Sequence, residues 1–307
     1  MTRRTHATGL LLPSRESLLW GNGDLAFVIE AARRAENAGF DSVWAGDSLL
    51  ARPRGEPLTL LAAVAGATTR VTLGTAVLLP LLRHPLSLAH AVATLDRIAE
   101  GRVIVGVGPG AELPGTHAEL AAIGVPSNRR VGALLNSVER CRRLWRNEEP
   151  GIELQPRPFR ASGPPVWLGG SGPRMLRLAG TTFDGWLPFS PTVAEYAAGL
   201  RAVRDAAEGA GRDPDSVATG AYLTVAVADT PSQAADELDA YMRAYYGVPA
   251  EVMTRAQACH AGTLESAAEW FAEYRAAGAG HLVLRLARPD LSEYDDTVRR
   301  LLGAAAR

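Results

Sequence analysis

TTRVTLGTAVLLPLLRHP, residues 68–85, and GRVIVGVGPG, residues 101–110, hold the two runs that decide the fold. Val71 to Val77 and Val103 to Val107 are β-branched and apolar along their length, and the segment between them has helical period and room for one crossover helix. That is a parallel βαβ unit. Both runs read as strands buried on both faces, and both end in loops rich in Gly and Pro. Loops at the carboxyl ends of parallel strands are where such folds place their chemistry.

The same alternation runs from end to end. Strands are expected near Thr8 to Leu12, Ser42 to Ala45, Val71 to Val77, Val103 to Val107, Val166 to Gly169, Gly185 to Leu187, Tyr222 to Val227 and His281 to Arg285. Helical patterns cover Asp24 to Ala38, Pro57 to Thr68, Pro85 to Glu100, Asn128 to Arg146, Pro173 to Gly180, Val193 to Gly209, Ser232 to Tyr246 with Leu264 to Ala277, and Leu291 to Ala305. Eight βα units in 307 residues match a closed (β/α)8 TIM barrel of the α/β class, expected as a single domain over residues 1–307. Three excursions interrupt it: Gly110 to Asn128, Pro150 to Pro165 and Gly247 to Gly262. Such insertions are functional or serve assembly.

Composition narrows the chemistry. With 47% hydrophobic and 21% charged residues and a net charge of -1, the chain has no run of like charge, which argues against nucleic acid as a partner. There is no lysine, so all 32 basic residues are arginine. Schiff-base aldolases, pyridoxal-phosphate enzymes, Walker-A nucleotide hydrolases and lysine-assisted nicotinamide reductases are thereby excluded, since each needs the ε-amine. Cys141 and Cys259 lie far apart and read as reduced, structural thiols. The apolar run at Leu10 to Leu12 is too short for a signal-peptide core and no stretch reaches a membrane span, so the expectation is a cytoplasmic protein without membrane contact. His117, His260 and His281 have no partners at metal-ligand spacing, and no metal is expected.

Four segments in order, NAGFDSVWAGD (37–47), TTRVTLGTAVLLP with RHP, ATLDRIAEGRVIVGVGPG (93–110) and PPVWLGGSGPRMLRLAGTTFDGWLP (164–188), resemble the bacterial luciferase-like monooxygenase superfamily of flavin- and deazaflavin-dependent oxidoreductases over essentially the whole chain. The resemblance implies a TIM barrel with insertions, a homodimer, and FMN or coenzyme F-420 (8-hydroxy-5-deazaflavin) at the carboxyl ends of the strands. It implies cofactor contacts at Asp47, at Thr75, Ala76 and Val77, whose Ala76-Val77 bond is the candidate non-prolyl cis peptide, and at Gly108, Pro109 and Gly110. Where the family shows a histidine after the acidic residue of the second strand, this chain has Ser48. Glu112 lies one position later than an acidic residue that transfers protons in some deazaflavin sugar-phosphate dehydrogenases, and is a candidate catalytic group; His84, at a helix start beside a strand end, either reaches the pocket or is structural.

Gly169, Gly170, Ser171 and Gly172 precede a helix opened by Pro173, and freed amides at a helix amino terminus form an anion site without lysine. In the family this region accepts the cofactor phosphate, and Arg174 adds charge. Gly106, Gly108 and Ala111 also fit a dinucleotide-binding template, but no acidic residue follows at the expected distance. Trp44, Trp167 and Trp186 fall on or at strands, where an aromatic packs a core.

The leading expectation is hydride transfer between coenzyme F-420 and a small organic substrate. The alternatives are an FMN-dependent monooxygenase, with a flavin reductase as partner, and a cofactor-free structural or regulatory barrel subunit.

Overall fold

The computed structural model describes residues 6–288 and 290–305. Eight parallel strands close a barrel: β1 (Ala7–Leu11), β2 (Ser42–Ala45), β3 (Thr72–Thr75), β4 (Val103–Val107), β5 (Val166–Leu168), β6 (Gly185–Trp186), β7 (Ala218–Val227) and β9 (His281–Leu286). β6 meets β7 at Gly185↔Ala218 and Trp186↔Thr219, and β9 pairs with both β7 and β1, which closes the ring. All eight expected strands are present, as a (β/α)8 TIM barrel.

A ninth strand, β8 (Cys259–Gly262), was not expected from the sequence. It pairs with Thr224–Val227 of β7. β6 is only two residues long and leaves that half of β7 without a neighbour. Unpaired ladder groups on a buried strand are costly, and CHAG, with little strand propensity of its own, becomes a strand by filling the gap.

Helices α2 (Leu25–Ala38), α3 (Pro57–Ala67), α4 (Pro85–Ile98), α6 (Arg130–Arg146), α7 (Pro173–Thr182), α8 (Val193–Gly209), α9 (Pro231–Tyr246), α11 (Leu264–Ala276) and α12 (Tyr294–Ala305) fall where the periodicity places them. Their starts carry physical signals: Asp24 accepts from the Phe27 amide, and Thr192 and Glu195 form a capping box. Short helices α1 (Glu16–Trp20), α5 (Pro114–Ala122) and α10 (Ala250–Met253) are additional. α5 lies inside the first excursion, with Pro114 at its first position, where the missing N–H costs nothing. Residues 150–165 are helix-free, as expected.

Inside the barrel, glycines make room for tryptophans. A Cβ on Gly74 would fall 2.1 Å from the Trp44 ring, and one on Gly185 would fall 2.5 Å from that of Trp167. Trp44, Trp167 and Trp186 are all buried, in line with core packing. His281 stands edge-on to Trp44 and Trp167, with ring centroids 5.4 and 5.6 Å away. Trp44 Nε1 donates to Ser42 Oγ, which leaves the Ser42 hydroxyl proton for His281 Nε2 at 2.7 Å.

Burial lowers the His281 pKa to about 4. Its unfolded value is about 6.5, so the unfolded chain binds the extra proton between those limits. This histidine's contribution therefore costs about 3 kcal/mol of stability as pH falls from about 6.5 to about 4. His281→Gln is expected to remove most of that acid sensitivity, read as denaturation midpoints across this pH range. Equal acid slopes in both proteins would refute the assignment.

Candidate functional site

A cavity of about 290 Å3 opens at the carboxyl ends of the strands. One wall is backbone and small side chains from three strand ends: Ala76 and Val77 after β3, Gly108 to Ala111 after β4, and Gly169 and Gly170 after β5. The Ala76-Val77 peptide is cis, where the resemblance put the candidate. β3 leaves the sheet there and pairing resumes one step on, with Leu78 bridged to Val107. Gly106 O accepts from both the Leu78 amide and Thr75 Oγ1, at 2.7 Å each. Val77 projects where any Cβ at Gly108 or Gly169 would meet it, at 2.7 and 3.1 Å. Glycine at both positions is what this close approach requires.

Asp47 follows β2 and lines the cavity, with its carboxylate fully engaged. It accepts from the Leu79 amide at 3.0 Å and from Arg83 at 2.5 and 3.0 Å. Arg83 also reaches Glu56. The Asp47 carboxylate thus ties the β3 exit loop to the end of β2. Ser48, standing where the family shows histidine, donates to Glu119 of α5 at 3.1 Å. Glu119 is buried and also accepts from the amides of Leu49 and Leu50, so it organises the loop after β2.

The turn before α7 leaves several backbone donors free. Gly170 has φ +122°, open to glycine, and its carbonyl is held by Trp186 Nε1 at 2.8 Å. Ser171 Oγ donates to Phe189 O. The amides of Gly170, Ser171, Gly172 and Arg174 have no acceptor among the described residues, and a Cβ on Gly172 would meet nothing within 4 Å. These free donors at the positive end of a helix would suit a phosphate.

Of the residues singled out in the sequence, Asp47, Ala76, Val77, Gly108, Pro109, Gly110, Gly169 and Gly170 line the cavity. Thr75 is buried beside it, and Ser171, Gly172 and Arg174 lie on the exposed rim next to Gly170. Glu112 and His84 are outside the lining. Glu112 is 71% exposed and salt-bridged to Arg130, and His84 is the exposed residue preceding α4.

The opposite wall holds residues that the sequence reading did not select: Arg52 and Arg54 from the loop after β2, Phe189 after β6, Tyr222 of β7, Tyr245 and Tyr246 of α9, and Arg285 of β9. One signal was available. An arginine in the apolar run HLVLRL rarely belongs in a core without a reason. Burial pushes the Tyr222 hydroxyl well above its usual pKa. No group of three or more His, Cys, Asp or Glu suited to a metal ion occurs among the described residues.

Residues 7–285 match the family profile of luciferase-like monooxygenases. The chain belongs to this family. It is 33% identical over 223 residues to an F420-dependent hydroxymycolic acid dehydrogenase of Mycobacterium tuberculosis, covering 67% of this chain and 61% of that one. It is 30% identical over 203 residues to a 5,10-methylenetetrahydromethanopterin reductase of Methanolobus tindarius, covering 64% and 60%. The chain thus spans less than two thirds of the length of these curated relatives. Among solved structures, a monooxygenase from Streptomyces bottropensis superposes with a TM-score of 0.80 at 23% identity, covering 98% of each chain. An F420-dependent secondary alcohol dehydrogenase in complex with an F420-acetone adduct superposes with a TM-score of 0.77 at 22% identity, covering 98% of this chain and 99% of that one. These likenesses establish the luciferase-like barrel.

Proposed function

We propose that this family member is an oxidoreductase that transfers a hydride between coenzyme F-420 and a small organic substrate in the cavity at the barrel mouth. The observation that carries the reading is the wall built from Ala76, Val77, Gly108 and Gly169, continuous with four unpaired amides before α7. A flat ring fits against such a wall, and its phosphorylated tail fits the amides. Relatives named for F420-dependent dehydrogenation support the deazaflavin over FMN.

When bound, the cofactor supplies the hydride, and the protein supplies position and environment. Val77, between Gly108 and Gly169, would pack against the cofactor ring, and the amides of Gly170, Ser171, Gly172 and Arg174 would hold its phosphate. Leu79, Leu187 and Phe189 exclude water. Tyr222, kept protonated by burial, is the hydroxyl available to hold a proton at the substrate oxygen. Glu112 and His84 stay in the proposal only as groups that a rearrangement of the rim would have to bring in.

The same proposal includes a homodimer and a reducing, cytoplasmic setting. Exposed Leu18, Leu25, Leu49 and Leu50 offer apolar surface for a partner copy, and both cysteines are free thiols. No helix among the described residues is long and apolar enough to cross a membrane.

Titration of the purified chain with F-420 and with FMN, followed by cofactor fluorescence, tests the reading. F-420 is expected to bind with Kd of about 1 μM and FMN at least about tenfold more weakly. Preference for FMN with oxygen consumption would move the protein to the monooxygenases and imply a reductase partner. Failure of both would leave a cofactor-free barrel.

A further inference from the structure

The wall opposite the glycines carries three arginines, none paired with a carboxylate among the described residues. Arg54 donates from Nε to the Arg52 carbonyl at 3.1 Å, and its two terminal nitrogens meet no acceptor. Its guanidinium lies against the end of β2, where a Cβ on Gly46 would fall 2.2 Å from Nη1. Arg52 makes no side-chain hydrogen bond and packs over the Tyr246 ring at 4.8 Å.

Arg285 is 2% exposed. It donates to Thr224 Oγ1 and Tyr246 Oη, within a ring of four tyrosines whose centroids lie 4.9 to 5.7 Å away. Cation–π contact offsets part of the cost of burying such a charge and leaves its sign uncancelled.

The acids nearby are already committed. Asp47 is held by Arg83 and the Leu79 amide, and Glu119 by Ser48 and two amides. Glu16 accepts from Tyr241 and lies behind the lining, where its charge offsets part of that of Arg15 and Arg54 without pairing with either. Arg15, behind Tyr245, adds another cation bound only to the carbonyls of Pro53 and Tyr245. Beside the arginines, Phe189 and Tyr222 form an aromatic surface, with centroids 4.5 Å apart. A neutral substrate would leave the unpaired Arg54 fork facing it.

We propose that the cavity selects an organic oxyanion, a small carboxylate- or phosphate-bearing molecule with a flat apolar body. Its charged end seats on the unpaired guanidinium groups of Arg54 and Arg52, and its body lies along Phe189 and Tyr222. The planar fork of Arg54 suits either oxyanion in bidentate fashion. That this anion is the substrate rests on the redox reading above; that it binds does not. The guanidinium groups and the amides before α7 are different donor sets, one of side chains and one of backbone.

Calorimetric titration of the full chain, with and without F-420, tests this with three probes: 3-phenylpropionate, phenyl phosphate and neutral 3-phenylpropionamide. At least one anion is expected to bind at least about tenfold more tightly than the amide, and which one does so identifies the oxyanion. Arg54→Met is expected to weaken that anion by about 30-fold or more and leave the amide unchanged. Arg54→Lys should recover part of the loss, since it keeps the charge without the fork. F-420 affinity should stay within about threefold of wild type in all variants that melt normally.

Equal binding of acid and amide, no binding of either anion, or anion binding indifferent to Arg54 would overturn the proposal. So would a loss confined to F-420, which would assign the arginines to the cofactor's own anionic groups. If the wild type binds the anions and no F-420, the redox reading falls and the oxyanion site stands.

Discussion

Gly172→Asp is expected to abolish cofactor binding while leaving the barrel as stable as before. Gly172 is the residue before α7, with φ -70° and ψ 155°, a backbone any residue adopts, and its Cβ position is open. No side chain caps α7, and aspartate is among the best residues at this position, so the helix itself is stabilised by a few tenths of a kcal/mol. Those same interactions destroy the anion site. The new carboxylate would take up the free Arg174 amide and set a negative charge about 4 Å from the place of a phosphate. At an effective dielectric of about 20 this repulsion is worth about 4 kcal/mol, or roughly three orders of magnitude in Kd.

Gly172→Asn separates the two effects, because it caps without charge and should lose far less affinity. Fluorescence titration with F-420 alongside thermal melting gives both quantities. Unchanged affinity in the aspartate variant would show that the phosphate is held elsewhere.

The barrel was legible because its strands are continuous apolar runs that end in Gly and Pro, and its helices stop and start at signals such as Gly39 after α2 and Pro231 opening α9. The exceptions have separate causes. β8 is a strand only because short β6 leaves an edge of β7 open, and no local propensity in CHAG reports that. α5 lies in a nine-residue stretch with little apolar periodicity, and its one local start signal is Pro114 at the first helical position.

At the site, the glycine wall was legible, since close backbone approach restricts residue type and the glycines sit beside the strands that carry them. The arginine and tyrosine wall was not. Arg54, Tyr222, Tyr246 and Arg285 come from four separate elements, and only closure of the ring brings them together. Asp47 was visible as a strand-end acid, but its grip on Leu79 and Arg83 depends on the path of the chain after the cis peptide.

That grip makes Asp47→Ala the most destabilising single change expected at the site. The Asp47 side chain is 1% exposed and that of Arg83 16%, so the pair is dry. Removing the carboxylate leaves a buried guanidinium with only Glu56, which is 38% exposed, and orphans the Leu79 amide. Breaking a buried pair from one side costs about 3–5 kcal/mol, and the Glu56 contact should hold this case near the lower end.

Leu79 lies two residues beyond the cis peptide, so the wall at Ala76 and Val77 loosens too and F-420 affinity falls with stability. Asp47→Asn retains an acceptor for the Leu79 amide and should lose about half as much. The sharper test is the double variant Asp47→Ala with Arg83→Met. If the cost comes from a stranded buried charge, removing that charge recovers part of it, and the double variant is more stable in urea than Asp47→Ala alone. A single variant within about 1 kcal/mol of wild type would show the pair to be no better than a surface contact.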